Sequence, residues 1–189
     1  MKAKPASMPA WANFNWKTFG DSKLEKMEAE AGAILADMEA DKPPRWLSLL
    51  GSSGVGKTHL AKQIYRHAGA RFGTYICPRL HITQKRTLRF IEWRTLADQL
   101  RNKEYHRINN ALDPWLLVLD DLGSEYDPSG YLASRVDRIL NERLGKWTVF
   151  TSNLCLDEVA DKLDVRVADR MMRADNRIAD VDTKSYALR

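Results

Sequence analysis

Eight consecutive residues, Gly51-Ser52-Ser53-Gly54-Val55-Gly56-Lys57-Thr58, constrain the fold of this chain more than any other feature. They follow a strand-like apolar run, Trp46-Leu47-Ser48-Leu49-Leu50, and open a segment of helical pattern over residues 58–68. Strand, glycine-rich turn and helix in that order are what a phosphate-binding loop requires. Glycines let the backbone curl until its N–H groups converge on an anion. The helix that follows presents its positive N-terminus to the same point. Lys57 is placed to reach the β- and γ-phosphates, and the Thr58 hydroxyl is placed to ligate Mg²⁺. The nucleotide-contacting set is therefore Gly51, Ser52, Ser53, Gly54, Val55, Gly56, Lys57, Thr58 and, one residue on, His59.

A chain of 189 residues can bury a core of its own as one domain. Lys and Arg total 30 against 25 Asp and Glu, a net charge of +5, which permits nucleic acid as a partner without demanding it. Cys77 and Cys155 lack metal-ligand spacing and read as reduced, buried thiols. No run approaches the ~18 apolar residues of a membrane span, and the N-terminus has no signal-peptide core, so the expected compartment is the cytoplasm and no membrane partner is expected.

The pattern divides the chain into an N-terminal arm and helix, 1–44, and a nucleotide-binding core, 45–189. The arm carries Trp11, Phe14, Trp16 and Phe19, too much apolar surface to leave in water. Asp21 or Ser22 can cap a helix running to about residue 40, with Leu24, Met27, Ala31, Leu35 and Met38 on one face. Strand candidates follow at 72–77 and 87–93, a helix at 94–103, a buried strand at 115–119, a helix at 129–144 with Gly145 behind it, a strand at 147–151, a short helix capped by Asp157, a helix at 164–172 and a last strand at 178–181. Strands alternating with helices predict a doubly wound α/β sheet, parallel and flanked by helices.

Two further motifs bear on chemistry. Leu116-Leu117-Val118-Leu119-Asp120-Asp121 is an apolar strand ending in two carboxylates, the form of a Walker B strand. Asp120 is assigned to the Mg²⁺ shell and Asp121 to the attacking water. Thr151-Ser152-Asn153 ends the next strand, where a polar side chain can orient water near the γ-phosphate. Arg166, Arg170 and Arg173 share one helical face by their spacing.

Taken together, residues 51–61, 116–123 with Glu125, 139–144, 151–154 and 166–173 resemble the AAA+ ATPases, and within them the DnaC/DnaI-type replicative helicase loaders and the related IstB-type transposition ATPases. The resemblance implies an AAA+ P-loop fold, ATP with Mg²⁺ as ligands, and a slow, assembly-dependent ATPase. It implies that Asn153 is the sensor 1 residue and that Arg170 is an arginine finger entering a neighbouring subunit, with Arg166 a second candidate. It makes Lys57, Asp121, Asn153 and Arg170 the catalytic set. Where many AAA+ proteins carry Asp-Glu, this chain has Asp-Asp, and Glu125 is a second candidate for positioning water. No C-terminal lid domain is expected, and the roughly 44 residues before the first strand contain no zinc-type cysteine cluster.

Residues 79–94 interleave basic and aromatic side chains, a pattern suited to single-stranded DNA, with Arg79, Lys85, Arg86 and Arg89 as the contacts and Phe90 and Trp93 read as core. Three functions fit: loading of a replicative helicase on single-stranded DNA, transposition or phage regulation with another partner, and small-molecule phosphoryl transfer. The strand ending in Asn153 and the arginine helix argue against the third.

Overall fold

A computed structural model describes residues 21–77, 81–125, 127–173 and 176–185. Its sheet is built on the three runs that the sequence marks as most apolar. β1 (Trp46–Gly51), β5 (Leu116–Asp120) and β6 (Trp147–Thr151) are buried along their whole length. Strands buried on both faces need helices on both sides, and parallel pairing supplies them through crossover connections. With β4 (Leu88–Glu92) and β7 (Arg177–Val181) they form a five-stranded parallel sheet in the order β4-β5-β6-β1-β7. β6 thus lies between the strand that carries the glycine-rich loop and the strand that ends in Asp120.

Successive side chains point to opposite faces, so each strand feeds two cores. On one face Leu47, Leu49, Leu116, Val118 and Val149 pack against α1 (Ser22–Ala40) and α2 (Lys57–Phe72). On the other, Trp46, Leu117, Leu119 and Phe150 meet α3 (Trp93–Arg101), α4 (Asn109–Leu112), α5 (Tyr131–Glu142), α6 (Leu156–Lys162) and α7 (Val165–Met172). This is the expected doubly wound architecture.

α1 begins where a side chain satisfies its orphan N–H groups: Asp21 Oδ1 accepts from Lys23 N at 3.0 Å and Leu24 N at 3.4 Å. Its apolar stripe is the expected one, with Ile34 added. Arg177 of β7 holds it in place, donating to Asp37 at 2.8 Å and Glu30 at 3.0 Å. The arm at 1–20 lies outside the described residues.

Three local expectations change. Residues 74–76 form β2 (Thr74–Ile76), but it pairs antiparallel with β3 (Thr83–Lys85) in an exposed hairpin and does not join the main sheet. The short helix α6 is capped by Cys155, not Asp157; Glu158 completes a reciprocal cap by accepting from Cys155 N at 2.9 Å. Both cysteines are half-buried rather than buried.

Arg143 closes the far end of the sheet. It is fully buried, and its guanidinium donates to the carbonyls of Ala111, Leu112, Pro114 and Trp147 and to Thr148 Oγ1. Burial pulls its pKa down to about 10, with Asp113 opposing, so it remains charged at neutral pH.

Candidate functional site

The glycine-rich loop leaves β1 through Gly51, whose φ of 100° and close neighbours admit no side chain: a Cβ there would stand 2.4 Å from Val181 O. Gly51 N donates to Leu154 O at 3.0 Å and Ser52 N to Val181 O at 2.9 Å, so the loop is pinned at its start by the turn after β6 and by the end of β7. Val55 is buried and anchors the far side of the loop. The chain then enters α2 at Lys57.

Lys57 is only 5% exposed. Its Nζ donates to Gly51 O at 2.8 Å, Ser52 O at 2.6 Å and Asn153 Oδ1 at 3.0 Å. Burial pulls its pKa down to about 8, against the raising influence of Asp121, Asp120 and Asp180. An ammonium held among carbonyls, short of its full charge stabilisation, is a site prepared for an anion.

Asp120 is 4% exposed at the end of β5. Its Oδ1 accepts from Thr58 Oγ1 at 2.9 Å and from Thr151 Oγ1 at 2.6 Å. Asp121 turns the chain with a φ of 60°, its N–H donating to Thr151 Oγ1 at 2.9 Å. Its carboxylate accepts from Asn153 Nδ2 at 2.8 Å. The chain Lys57–Asn153–Asp121–Thr151–Asp120–Thr58 is therefore continuous. It brings together five residues chosen from three separate sequence motifs. Thr151 is the link the sequence reading left without a role, although a hydroxyl at the end of an apolar strand beside Asp120 is a signal for it.

Below Asn153, the buried Ser152 holds the turn: its Oγ donates to Leu122 O at 2.6 Å and accepts from Leu154 N at 3.1 Å, and its N–H donates to Leu49 O at 3.0 Å. The two turns after β5 and β6 are thereby locked to each other and to β1.

The oxygen donors, one carboxylate from Asp120 and one hydroxyl from Thr58, fit a hard divalent cation that shares its ligands with phosphate. The charge balance points the same way. Asp120, Asp121 and Asp180 outnumber Lys57, so a polyanion needs added positive charge to settle here. His59 is exposed on the first turn of α2, its ring 3.4 Å from Gln63 Nε2.

The arginines lie elsewhere. Arg170 pairs with Asp137 of α5, Arg166 with Asp164 at 3.2 Å, and Arg173 with Asp169 at 2.5 Å. Among the described residues none of these pairs involves the glycine-rich loop. Glu125 lines a groove with Arg94, Asp98 and Arg101, and among the described residues its buried Oε2 has no hydrogen-bond partner. Of the basic residues, Arg79 lies outside the described ones. Lys85 is exposed on β3, and Arg89 is exposed on the edge strand β4. Arg86 stacks between Trp115 and Tyr75, 4.4 and 5.0 Å from the ring centroids. Trp93 is fully buried and Phe90 packs on the core, as expected.

Residues 17–189 match the family model described as IstB-like ATP binding protein. The chain belongs to that family. Among solved structures, the IstB-like chain is similar to the DnaC helicase loader, at 22% identity and TM-score 0.63 over 82% of this chain and 90% of that one. It is similar to DnaI at 25% identity and TM-score 0.61, covering 87% and 86%. The replication initiator DnaA bound to AMPPCP and single-stranded DNA matches at 18% identity and TM-score 0.55, over 74% of this chain and 41% of that one. No curated protein matches the sequence. The fold of this IstB-like chain is thus the AAA+ P-loop fold of the DnaC/DnaI type, and among the described residues no helical lid follows β7. None of its described helices is long and apolar enough to cross a membrane.

Proposed function

We propose that this protein is a Mg²⁺-dependent ATPase of DNA replication, a helicase loader that assembles on single-stranded DNA and helps to place a replicative helicase. The observation that carries the reading is the continuous hydrogen-bond chain from Lys57 through Asn153 and Asp121 to Asp120 and Thr58. Each member has a part in phosphoryl transfer to water. The N–H groups of residues 54–58 and Lys57 hold the phosphates. Thr58 and Asp120 would hold the metal ion, which would supply charge neutralisation. Asp121, oriented by Asn153, accepts a hydrogen bond from the attacking water, and Lys57 joins the γ-phosphate to the same amide. Asp121 has a shorter reach than a glutamate, which makes turnover slow.

The excess of carboxylates leaves the transition state short of positive charge, and Arg170 of a neighbouring copy supplies it. The similarity to DnaC, DnaI and the DNA-bound DnaA supports a replicative role. Lys85, Arg86 and Arg89, with Arg79, form the nucleic-acid contacts, and the place of action is the cytoplasm. The IstB-like family match favours a second partner class, the transposition machinery. Sedimentation with a non-hydrolysable ATP analogue, with and without a single-stranded oligonucleotide, tests the assembly. Oligomers that require both ligands are expected; a monomer under all conditions refutes the loader reading. Co-purification then separates helicase from transposase.

A further inference from the structure

β7 leaves the sheet beside the glycine-rich loop, on the side of β1 opposite to β6. The four residues that follow it, Asp182-Thr183-Lys184-Ser185, stay against the loop. Ser52 Oγ donates to Asp182 Oδ1 at 3.0 Å, extending the backbone bond from Ser52 N to Val181 O. Farther on, Ser185 lies directly over Gly54: a Cβ at Gly54 would stand 2.3 Å from Ser185 Oγ and 3.0 Å from its Cβ. On its other flank the segment is tied to the start of α1. Lys23 Nζ donates to the Asp182 carbonyl at 2.8 Å, and the Thr183 hydroxyl donates to Asp21 Oδ2, while Oδ1 of the same carboxylate caps α1. The result is a four-residue strap fixed between the phosphate loop and a helix N-terminus.

The strand order decides which part of a nucleotide meets this strap. Asp120, Asp121 and Asn153 come from β5 and β6, both on one side of β1, and Lys57 leans that way onto Asn153. The terminal phosphate and the attacking water belong there. The phosphate chain therefore crosses the loop away from β6, and the nucleoside emerges on the β7 side, where the strap and the N-terminus of α1 stand. The chemistry agrees. A carboxylate repels phosphate oxygens but accepts from hydroxyl and amino groups. Asp182 suits the sugar and base and not the phosphates.

We propose that residues 182–184 form the nucleoside-facing wall of the site, with Asp182 as its specificity-determining residue. The inference rests on the nucleotide-binding reading of the loop and assigns the half of the ligand that the loop does not hold. Loss of one such hydrogen bond weakens a ligand about fivefold.

Two ligands separate the halves: ATP, which has a nucleoside, and inorganic tripolyphosphate, which has none. Their affinities for the full chain are measured with Mg²⁺ for the wild type, Asp182→Ala and Thr183→Val. Thr183→Val loosens the strap from α1 without touching the loop. Each variant is expected to bind ATP about fivefold more weakly or worse and tripolyphosphate as the wild type does, a result that also reports an intact loop. Equal weakening of both ligands makes the strap a mere support of the loop and overturns the proposal, as do unchanged affinities for both. If the wild type binds neither ligand, or Lys57→Ala binds both as the wild type does, the loop assignment itself fails and takes the proposal with it.

Discussion

Asn153 uses both ends of its side-chain amide: Oδ1 accepts from Lys57 Nζ at 3.0 Å and Nδ2 donates to Asp121 at 2.8 Å. One residue between β1 and β5 thus couples the lysine of the glycine-rich loop to the Asp121 carboxylate. Asn153→Ala breaks the coupling while leaving the loop intact. ATP affinity is expected to stay near the wild-type value and kcat to fall roughly tenfold to a hundredfold. Steady-state kinetics under assembly conditions check this; an unchanged kcat rules out a water-orienting role.

Lys57 gives the site a pH signature. Its pKa is lowered by burial from the ordinary 10.5 to about 8 in the free protein. A bound triphosphate favours the ammonium and raises that value, so binding takes up a proton at pH 9 and almost none from this group at pH 7. ATP affinity should hold steady below about pH 8 and then fall by up to about tenfold per pH unit. For folding, the unfolded chain keeps its proton to higher pH than the native one. The contribution of Lys57 to stability therefore rises between about pH 8 and 10.5. Calorimetry in two buffers of different ionisation enthalpy reads the proton uptake directly; none at pH 9 contradicts the lowered pKa.

Much of this site was legible in the chain because its residues sit at strand ends. A buried parallel strand is a continuous apolar run, and its C-terminal neighbour is the first residue allowed to be polar. Asp120, Asp121 and Asn153 were found in that way, and Lys57 and Thr58 by the glycine spacing. Thr151 was not given a role, since its importance comes from β6 inserting between β1 and β5, a pairing that no local pattern encodes. The strap at 182–185 was missed for the same reason: it is built from contacts with residues some 130 to 160 positions away. The hairpin of β2 and β3 illustrates the reverse limit. Residues 74–76 have strand composition, and only tertiary placement keeps them out of the main sheet.

In the sequence Arg143 is one residue of the stretch 139–144, and its environment explains it. Five buried acceptors, on residues 111, 112, 114, 147 and 148, converge on its fork. Arg143→Met takes the guanidinium away from all five, with Leu112 O keeping a second donor in Lys146 Nζ at 2.9 Å, and should destabilise the fold by about 3–5 kcal/mol. Arg143→Lys keeps the charge but cannot span the same acceptors, and most of the loss should remain. Urea denaturation monitored by tryptophan fluorescence checks this; a change below about 1 kcal/mol contradicts the account.

Arg170 is held within its own chain by Asp137, while the proposed reading asks it to serve the carboxylate-rich site of another copy. If Arg170 serves in trans, the two defects Lys57→Ala and Arg170→Ala reside in different halves of a shared site. Each variant alone should be inactive under assembly conditions, the first because it loses its phosphate grip and the second because it cannot complete its neighbour. Mixed, they create junctions in which an intact loop faces an intact Arg170, and hydrolysis should return. An arginine finger contributes about 10³–10⁵ to turnover in phosphoryl transfer, so even a minority of such junctions lifts the mixture well above either variant. Asp137→Asn supplies the control, because it frees Arg170 without removing it. Assembled activity should survive that substitution although the ion pair is lost. A mixture no more active than its components, or an Asp137→Asn protein as inactive as Arg170→Ala, makes the Arg170–Asp137 pair a structural bridge between α5 and α7 and nothing more.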